Sequence, residues 1–312
     1  MTPERQAYIE SVRSKLATGQ YRDLLRSEGE TVNSATFKRN AFGVYRPTAN
    51  DVIVSTYPKS GTNWTMQIAH QIAWLGEGTF DYIHEVIPWP GSIMKTPVIP
   101  LDDLSVAKSS PTGMRVIKSH EEAAFVPLND EGKYIVVVRD PKDVLVSAYH
   151  FENEFFLKMV GDKVPLADFI EGFLAKEFIY IDWASHTSSW WALRQRSNVL
   201  LLFFEEMKDN PHQVIRQIAD LMQVALTDAQ FAKVAEKSSY AWMKTHDKIF
   251  SPPTPPDYQE QGKISMVRSG RTGASGETLT AAQQKAIDDF CQNELLALGS
   301  DFPYAERYSL ER

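Results

Sequence analysis

The chain has 312 residues, 43% hydrophobic and 23% charged, with a formal net charge of −7. That length supports a sizeable α/β core, and the acidic balance argues against a general nucleic-acid binder. The single cysteine, Cys291, excludes an intrachain disulfide and points to a reducing, cytoplasmic setting.

In chain order, residues 3–27 read as one or two surface helices forming a lid or brace, and 31–50 as irregular. Residues 1–45 together make an N-terminal extension. The amphipathic start lacks the apolar core of a secretory signal, and no run approaches the ~20 apolar residues of a membrane span. The β-branched run Val52-Ile53-Val54 then reads as a buried strand that breaks at Pro58. Gly61 permits a tight turn, Asn63 is suited to cap a helix, and Trp64, Ile68, Ile72 and Leu75 recur at helical spacing. Strand, loop and helix N-terminus together hold phosphate through backbone N–H groups and the helix dipole. Lys59 adds charge, and Ser60 and Thr62 add hydroxyls. A P-loop is not matched, because the first glycine is missing and the lysine precedes Gly61. A nucleoside triphosphate with magnesium is therefore not the first choice, and no His/Cys pattern implies a metal.

A Gly/Pro-rich stretch, 76–111, reads as a binding loop around Trp89. Runs at 114–120, 134–140 and 199–205 are nearly continuously apolar, as parallel strands covered on both faces are. Helical patterns fit 141–157, 166–176, 182–196, 211–223, 227–238 and 280–298. The alternation predicts a three-layer α/β/α fold with a mainly parallel sheet and ligands at the carboxyl ends of its strands. Residues 251–276, rich in Pro, Gly and Ser, read as a mobile flap. No domain boundary interrupts 1–312, so the whole chain reads as a single domain. Arg139 at a strand end and Ser147 two turns into the next helix can grip a second phosphate, with a surface Arg139–Asp143 ion pair as the alternative. Glu121 and Glu122 read as a solvated edge.

The stretch Tyr57-Pro58-Lys59-Ser60-Gly61-Thr62-Asn63-Trp64, followed by Arg139-Asp140-Pro141-Lys142-Asp143-Val144-Leu145-Val146-Ser147, resembles the cytosolic sulfotransferases. The likeness runs from about residue 45 to 300, and the paired motifs are specific. It implies that Lys59, Ser60, Gly61, Thr62 and Asn63 form a P-loop-like cradle for the 5′-phosphosulfate of 3′-phosphoadenosine 5′-phosphosulfate. Arg139 and Ser147 then hold the 3′-phosphate. Trp64 matches the indole that stacks on the adenine, and Ser238, Tyr240 and Met243 match the segment enclosing it. Phe204 stands where the family often has a tyrosine. Arg268, Ser269 and Gly270 correspond to a late Arg-Lys-Gly loop that also grips the 3′-phosphate. Ser269 replaces the lysine there, with Arg271 as a substitute charge, and Ala274 and Ser275 replace an acidic residue and a tryptophan.

Lys118-Ser119-His120 is similar to the family's Lys-Thr-His, which makes His120 the general base beside Lys59 and Lys118. The resemblance implies a small hydroxyl acceptor. Trp89, Lys118, His120, Tyr149 and Phe151 are expected around it, with Phe42 and Tyr240 as further aromatic candidates. The family's dimerisation motif is not matched at 276–285, which leaves monomer and homodimer open. Two alternatives are a small-molecule kinase, disfavoured by the loop, and a non-catalytic nucleotide binder, disfavoured by the retention of Lys59 and His120.

Overall fold

The four apolar runs all form strands, but their order along the chain is not their order in space. The computed structural model describes residues 1–93, 97–252, 254–268 and 270–309. Strands β1 (Asp51–Thr56), β2 (Arg115–Ser119), β3 (Lys133–Val138) and β4 (Val199–Phe203) make one parallel sheet in the order β2-β1-β3-β4.

Side chains alternate across a strand, and here both faces are apolar. Val52, Val54, Ile135 and Val137 join a core with the helices Thr62–Ala73 and Pro211–Met222. Ile53, Ile117, Tyr134 and Val136 join another with Trp190 of the helix Trp183–Trp191. Covering both faces is why β1, β2 and β3 are buried at every residue and apolar at their centres. The expected three layers follow.

Six helices form where the periodicity placed them: Pro141–Val160, Leu166–Leu174, Trp183–Trp191, Pro211–Met222, Asp228–Lys237 and Ala281–Ala297. Their limits follow local chemistry. The longest starts at Pro141 behind the capping carboxylate of Asp140 and ends at Gly161, whose φ is 77°. Residues 31–50 are less irregular than expected. Ser34 caps a short helix, Ala35–Ala41, by accepting the Phe37 N–H at 3.2 Å.

The N-terminal helices Pro3–Ala17 and Tyr21–Asn33 are integral to the core, into which Ile9, Val12, Leu24 and Leu25 are buried. At the amino ends of the strands, Arg115 pairs with Asp51 at 2.8 Å and donates to the carbonyls of Leu101 and Asp103. Both partners are buried, and the arrangement is a structural lock. No helix among the described residues is long and apolar enough to cross a membrane.

The carboxyl ends of the strands set up the rest. Ser55 lies beside Ser119, Thr56 beside Val137, and Val138 beside Phe203. The chain therefore leaves one edge of the sheet at four neighbouring points: Tyr57, His120, Arg139 and Phe204. β1 connects first to one neighbour and then the chain crosses to the other, which is the switch point where such sheets form a crevice.

Candidate active site

After β1 the chain turns sharply, with Ser60 N–H donating to the Tyr57 carbonyl at 3.2 Å. Four non-glycine residues among those described have positive φ. Leu75, Lys176 and Gln223 follow helix ends, where that conformation is common. Lys59, at 67°, does not, so its strain belongs to the loop itself. The next helix begins at Thr62 with Gly61 at the cap, rather than at Asn63, and no side chain caps it. Its first N–H groups are left for another acceptor. Gly61, Thr62 and Asn63 line a cavity of about 470 Å³.

Gly61 is required twice over. Its φ is 88°, and a Cβ there would sit 2.8 Å from the ring of Phe204. Gly61→Ala should cost about 1–2 kcal/mol from the left-handed backbone alone and displace Phe204. Thermal unfolding would register the loss; a variant as stable as the wild type would contradict this reading of the turn.

His120 faces the same cavity. Its Nδ1 lies 2.7 Å from the Thr56 carbonyl. A carbonyl only accepts, so Nδ1 carries the hydrogen and Nε2 keeps its lone pair. Burial, then the charge of Lys118, holds this imidazole well below its usual pKa. Lys118 is itself buried, and its Nζ lies 3.3 Å from the centre of the Trp89 ring. Burial and Lys59 hold its ammonium well below the usual lysine range. Lys59 Nζ sits 3.4 Å above the Phe151 ring. Burial brings it down to about 8, opposed by Glu152 and assisted by Arg139 and Arg268. Two lysines and a histidine thus gather in one apolar-walled space.

Arg139 ties three segments together. It donates to the Lys59 carbonyl at 2.9 Å and the Arg271 carbonyl at 3.3 Å, lies 3.5 Å from Asp143, and stacks 4.3 Å from the centre of Phe204. Its Nε is buried without a partner. The expected alternative, an Arg139–Asp143 ion pair, is thus present but buried rather than superficial. Asp143 also accepts the N–H groups of Gly273 and Ser275, anchoring the end of 251–276. Trp64, Phe204, Tyr240 and Met243 form an aromatic and apolar end of the cavity, where Trp64 Nε1 donates to the Ser238 carbonyl at 2.8 Å. Gly270 presses on Tyr240, and a Cβ there would come within 2.4 Å. Ser147 and Arg268 line the same cavity.

Several expected residues lie elsewhere. Tyr149 packs edge-on to Phe169 at 5.6 Å, on the side of its helix away from the cavity that Ser147 and Phe151 line. Phe42 is buried beneath the sheet with Ile53 and Trp190. Ser60 and Ser238 are buried behind the cavity wall. The Arg271 guanidinium meets Glu277, although the residue also lines the cavity, and Ser269 lies outside the described residues. Glu121 is not a solvated edge: it is 6% exposed and lines the cavity, and burial pushes its carboxyl up to about 7. Glu122 pairs with Lys38 at 2.8 Å. Sequence reasoning also missed Glu152, Tyr180, Tyr8 and Glu28, all of which line the cavity. Trp89 lines the cavity.

Residues 49–299 match the family model described as Sulfotransferase domain. Among curated relatives, sulfotransferase 1A1 of dog (Canis lupus familiaris) is 31% identical over 81% of this chain and 86% of that protein. Sulfotransferase 1A1 of mouse is 31% identical over 82% and 87%. Among solved structures, mouse sulfotransferase SULT7A1 complexed with PAP superposes with a TM-score of 0.60 at 24% identity, covering 84% of this chain and 89% of that one. A retinol dehydratase in complex with retinol and PAP gives 0.63 at 20% identity, covering 86% and 88%. These two structural likenesses concern the fold.

Proposed function

We infer, because this chain belongs to the sulfotransferase family, that it transfers a sulfuryl group from 3′-phosphoadenosine 5′-phosphosulfate to the hydroxyl of a small hydrophobic or aromatic acceptor. Sulfotransferase activity follows from the family; the donor, the acceptor class and the residue roles are our proposal. One observation carries the donor assignment. Around a single cavity stand an uncapped helix N-terminus, strained Lys59 and Arg139 with an orphaned buried Nε. Buried polar groups ordinarily have partners, and two separate anionic groups would satisfy this set. PAP in the two solved neighbours supports the same reading.

In this reading the 59–63 loop holds the phosphosulfate, and Arg139, Ser147 and Arg268 hold the 3′-phosphate. Trp64, Phe204, Tyr240 and Met243 enclose the adenine. His120 Nε2 takes the acceptor's proton as the new O–S bond forms. Lys59 neutralises the charge left on the phosphate oxygen as the old S–O bond breaks, and Lys118 orients the group in transit. As in phosphoryl transfer, the protein's work is positioning and charge stabilisation.

Calorimetry tests the donor site. The protein should bind 3′-phosphoadenosine 5′-phosphate much more tightly than adenosine 5′-phosphate or ATP. Charged hydrogen bonds contribute ~1.5–3 kcal/mol, so Arg139→Ala should weaken the first at least about tenfold. Equal affinity with and without the 3′-phosphate would refute the assignment.

A further inference from the structure

The wall of the cavity carries three carboxyl groups for which the transfer chemistry has no use: Glu28, Glu121 and Glu152. Two have partners. Tyr8 donates to Glu28 at 2.8 Å, and the Tyr180 hydroxyl donates to Glu152. Glu121 differs, for it is 6% exposed and its Oε2 has no hydrogen-bond partner.

Its backbone is fixed on several sides. Trp190 Nε1 and Ser55 Oγ both donate to the Glu121 carbonyl at 3.0 Å, and the Glu121 N–H donates to Ser119 Oγ at 3.0 Å. Beside the carboxyl is Gly91, where a Cβ would lie 3.2 Å from Oε1 and crowd it. The cation whose charge acts on Glu121, Lys38, is engaged by both oxygens of Glu122 at 2.8 and 3.0 Å. A buried carboxyl with an unpartnered oxygen, carried on a firmly held backbone and opening on a ligand cavity, is costly unless a ligand supplies what it lacks.

Taking the sulfotransferase reading as its basis, we propose that the acceptor is a hydroxyl compound that also carries a basic nitrogen, and that Glu121 binds its ammonium group. An ammonium offers a positive charge and several donors at once, and charge-assisted bonds of this kind are the strong ones. Glu28 and Glu152 line the same cavity and add negative potential there. With the cavity empty, burial pushes Glu121 and Glu152 up to about 7, so a bound cation favours their ionised forms.

Three phenols that differ only in the para tail make the test: tyramine, 4-(2-hydroxyethyl)phenol and 4-propylphenol, assayed for sulfation at saturating donor. We expect kcat/KM for tyramine to exceed that for 4-propylphenol at least about tenfold, and Glu121→Gln to collapse that ratio by a similar factor. Equal values for tyramine and 4-propylphenol, or a preference for the hydroxyethyl compound over tyramine, would overturn the proposal while leaving the sulfotransferase reading in place. A tyramine preference that survives Glu121→Gln would overturn the role of Glu121. No sulfation of any of the three would overturn the underlying reading and this proposal with it. The wild-type comparison requires no variant, so poor folding of E121Q would not blunt it.

Discussion

His120→Ala lowers turnover at least about a hundredfold, the range over which a positioned base acts, while leaving affinity for 3′-phosphoadenosine 5′-phosphate unchanged. The Thr56 carbonyl fixes Nδ1–H and so presents the basic Nε2 to the cavity; alanine removes that base but no proposed donor contact. The deficit should shrink with acidic phenols, whose protons leave with less help, and be largest with aliphatic alcohols. The pH profile is a second check. Because burial and Lys118 hold the imidazole well below its ordinary value, the free enzyme keeps a neutral base at pH values where an exposed histidine would be protonated. The acid limb of kcat/KM should therefore lie below the usual ~6.5 and vanish in His120→Ala. Near-full turnover of an aliphatic alcohol by the variant would place the base elsewhere.

Lys59→Ala should fail in a different way. Removing one preorganised charge-stabilising donor typically costs ~10²–10³ in rate, and here the charge in question develops on the leaving group. Acceptor acidity should not rescue this variant, and that contrast separates it from His120→Ala. The sign of its pH dependence is also opposite. Lys59 acts as a cation, and burial has brought it down to about 8, so donor affinity in the free wild-type enzyme should weaken as pH rises past that value. Donor binding that stays flat from pH 7 to 10 would remove Lys59 from the phosphosulfate site.

The sheet and most helices were legible in the sequence because burial on both faces leaves a local mark: Ile135 to Val138 can hardly be anything but a central strand. The turn from β1 into the helix Thr62–Ala73 was legible as well, since its residues are contiguous. Tyr149 was misassigned although the information was present. At about 100° per residue, Tyr149 is some 200° around the helix from both Ser147 and Phe151, so the three could not share a face. Glu121 was misread because nothing local distinguishes a buried glutamate from a solvated one; only Trp190 and Ser55, far away in sequence, hold it inward. Tyr8 and Glu28 were hidden by distance as well. They reach the cavity only because the N-terminal helices pack into the core.

Neighbouring strands lie ~4.8 Å apart, so the four strand ends of the order β2-β1-β3-β4 span ~14 Å. His120, the Lys59 loop, Arg139 and Phe204 emerge along that span like marks on a ruler, and each is set by its own strand. The Lys59 loop, Arg139 and Phe204 are locked together by the Arg139–Lys59 hydrogen bond and the packing on Phe204, whereas His120 is held instead by the Thr56 carbonyl, so drift can act at the β2 end separately. Changes confined to the β2 end, to the segment around Trp89 and to the N-terminal helices alter what stands opposite His120 without moving the marks that, in the proposed function, measure out the nucleotide. A lineage built on this sheet can thus diversify the molecules it modifies while inheriting one unaltered source of the group it transfers.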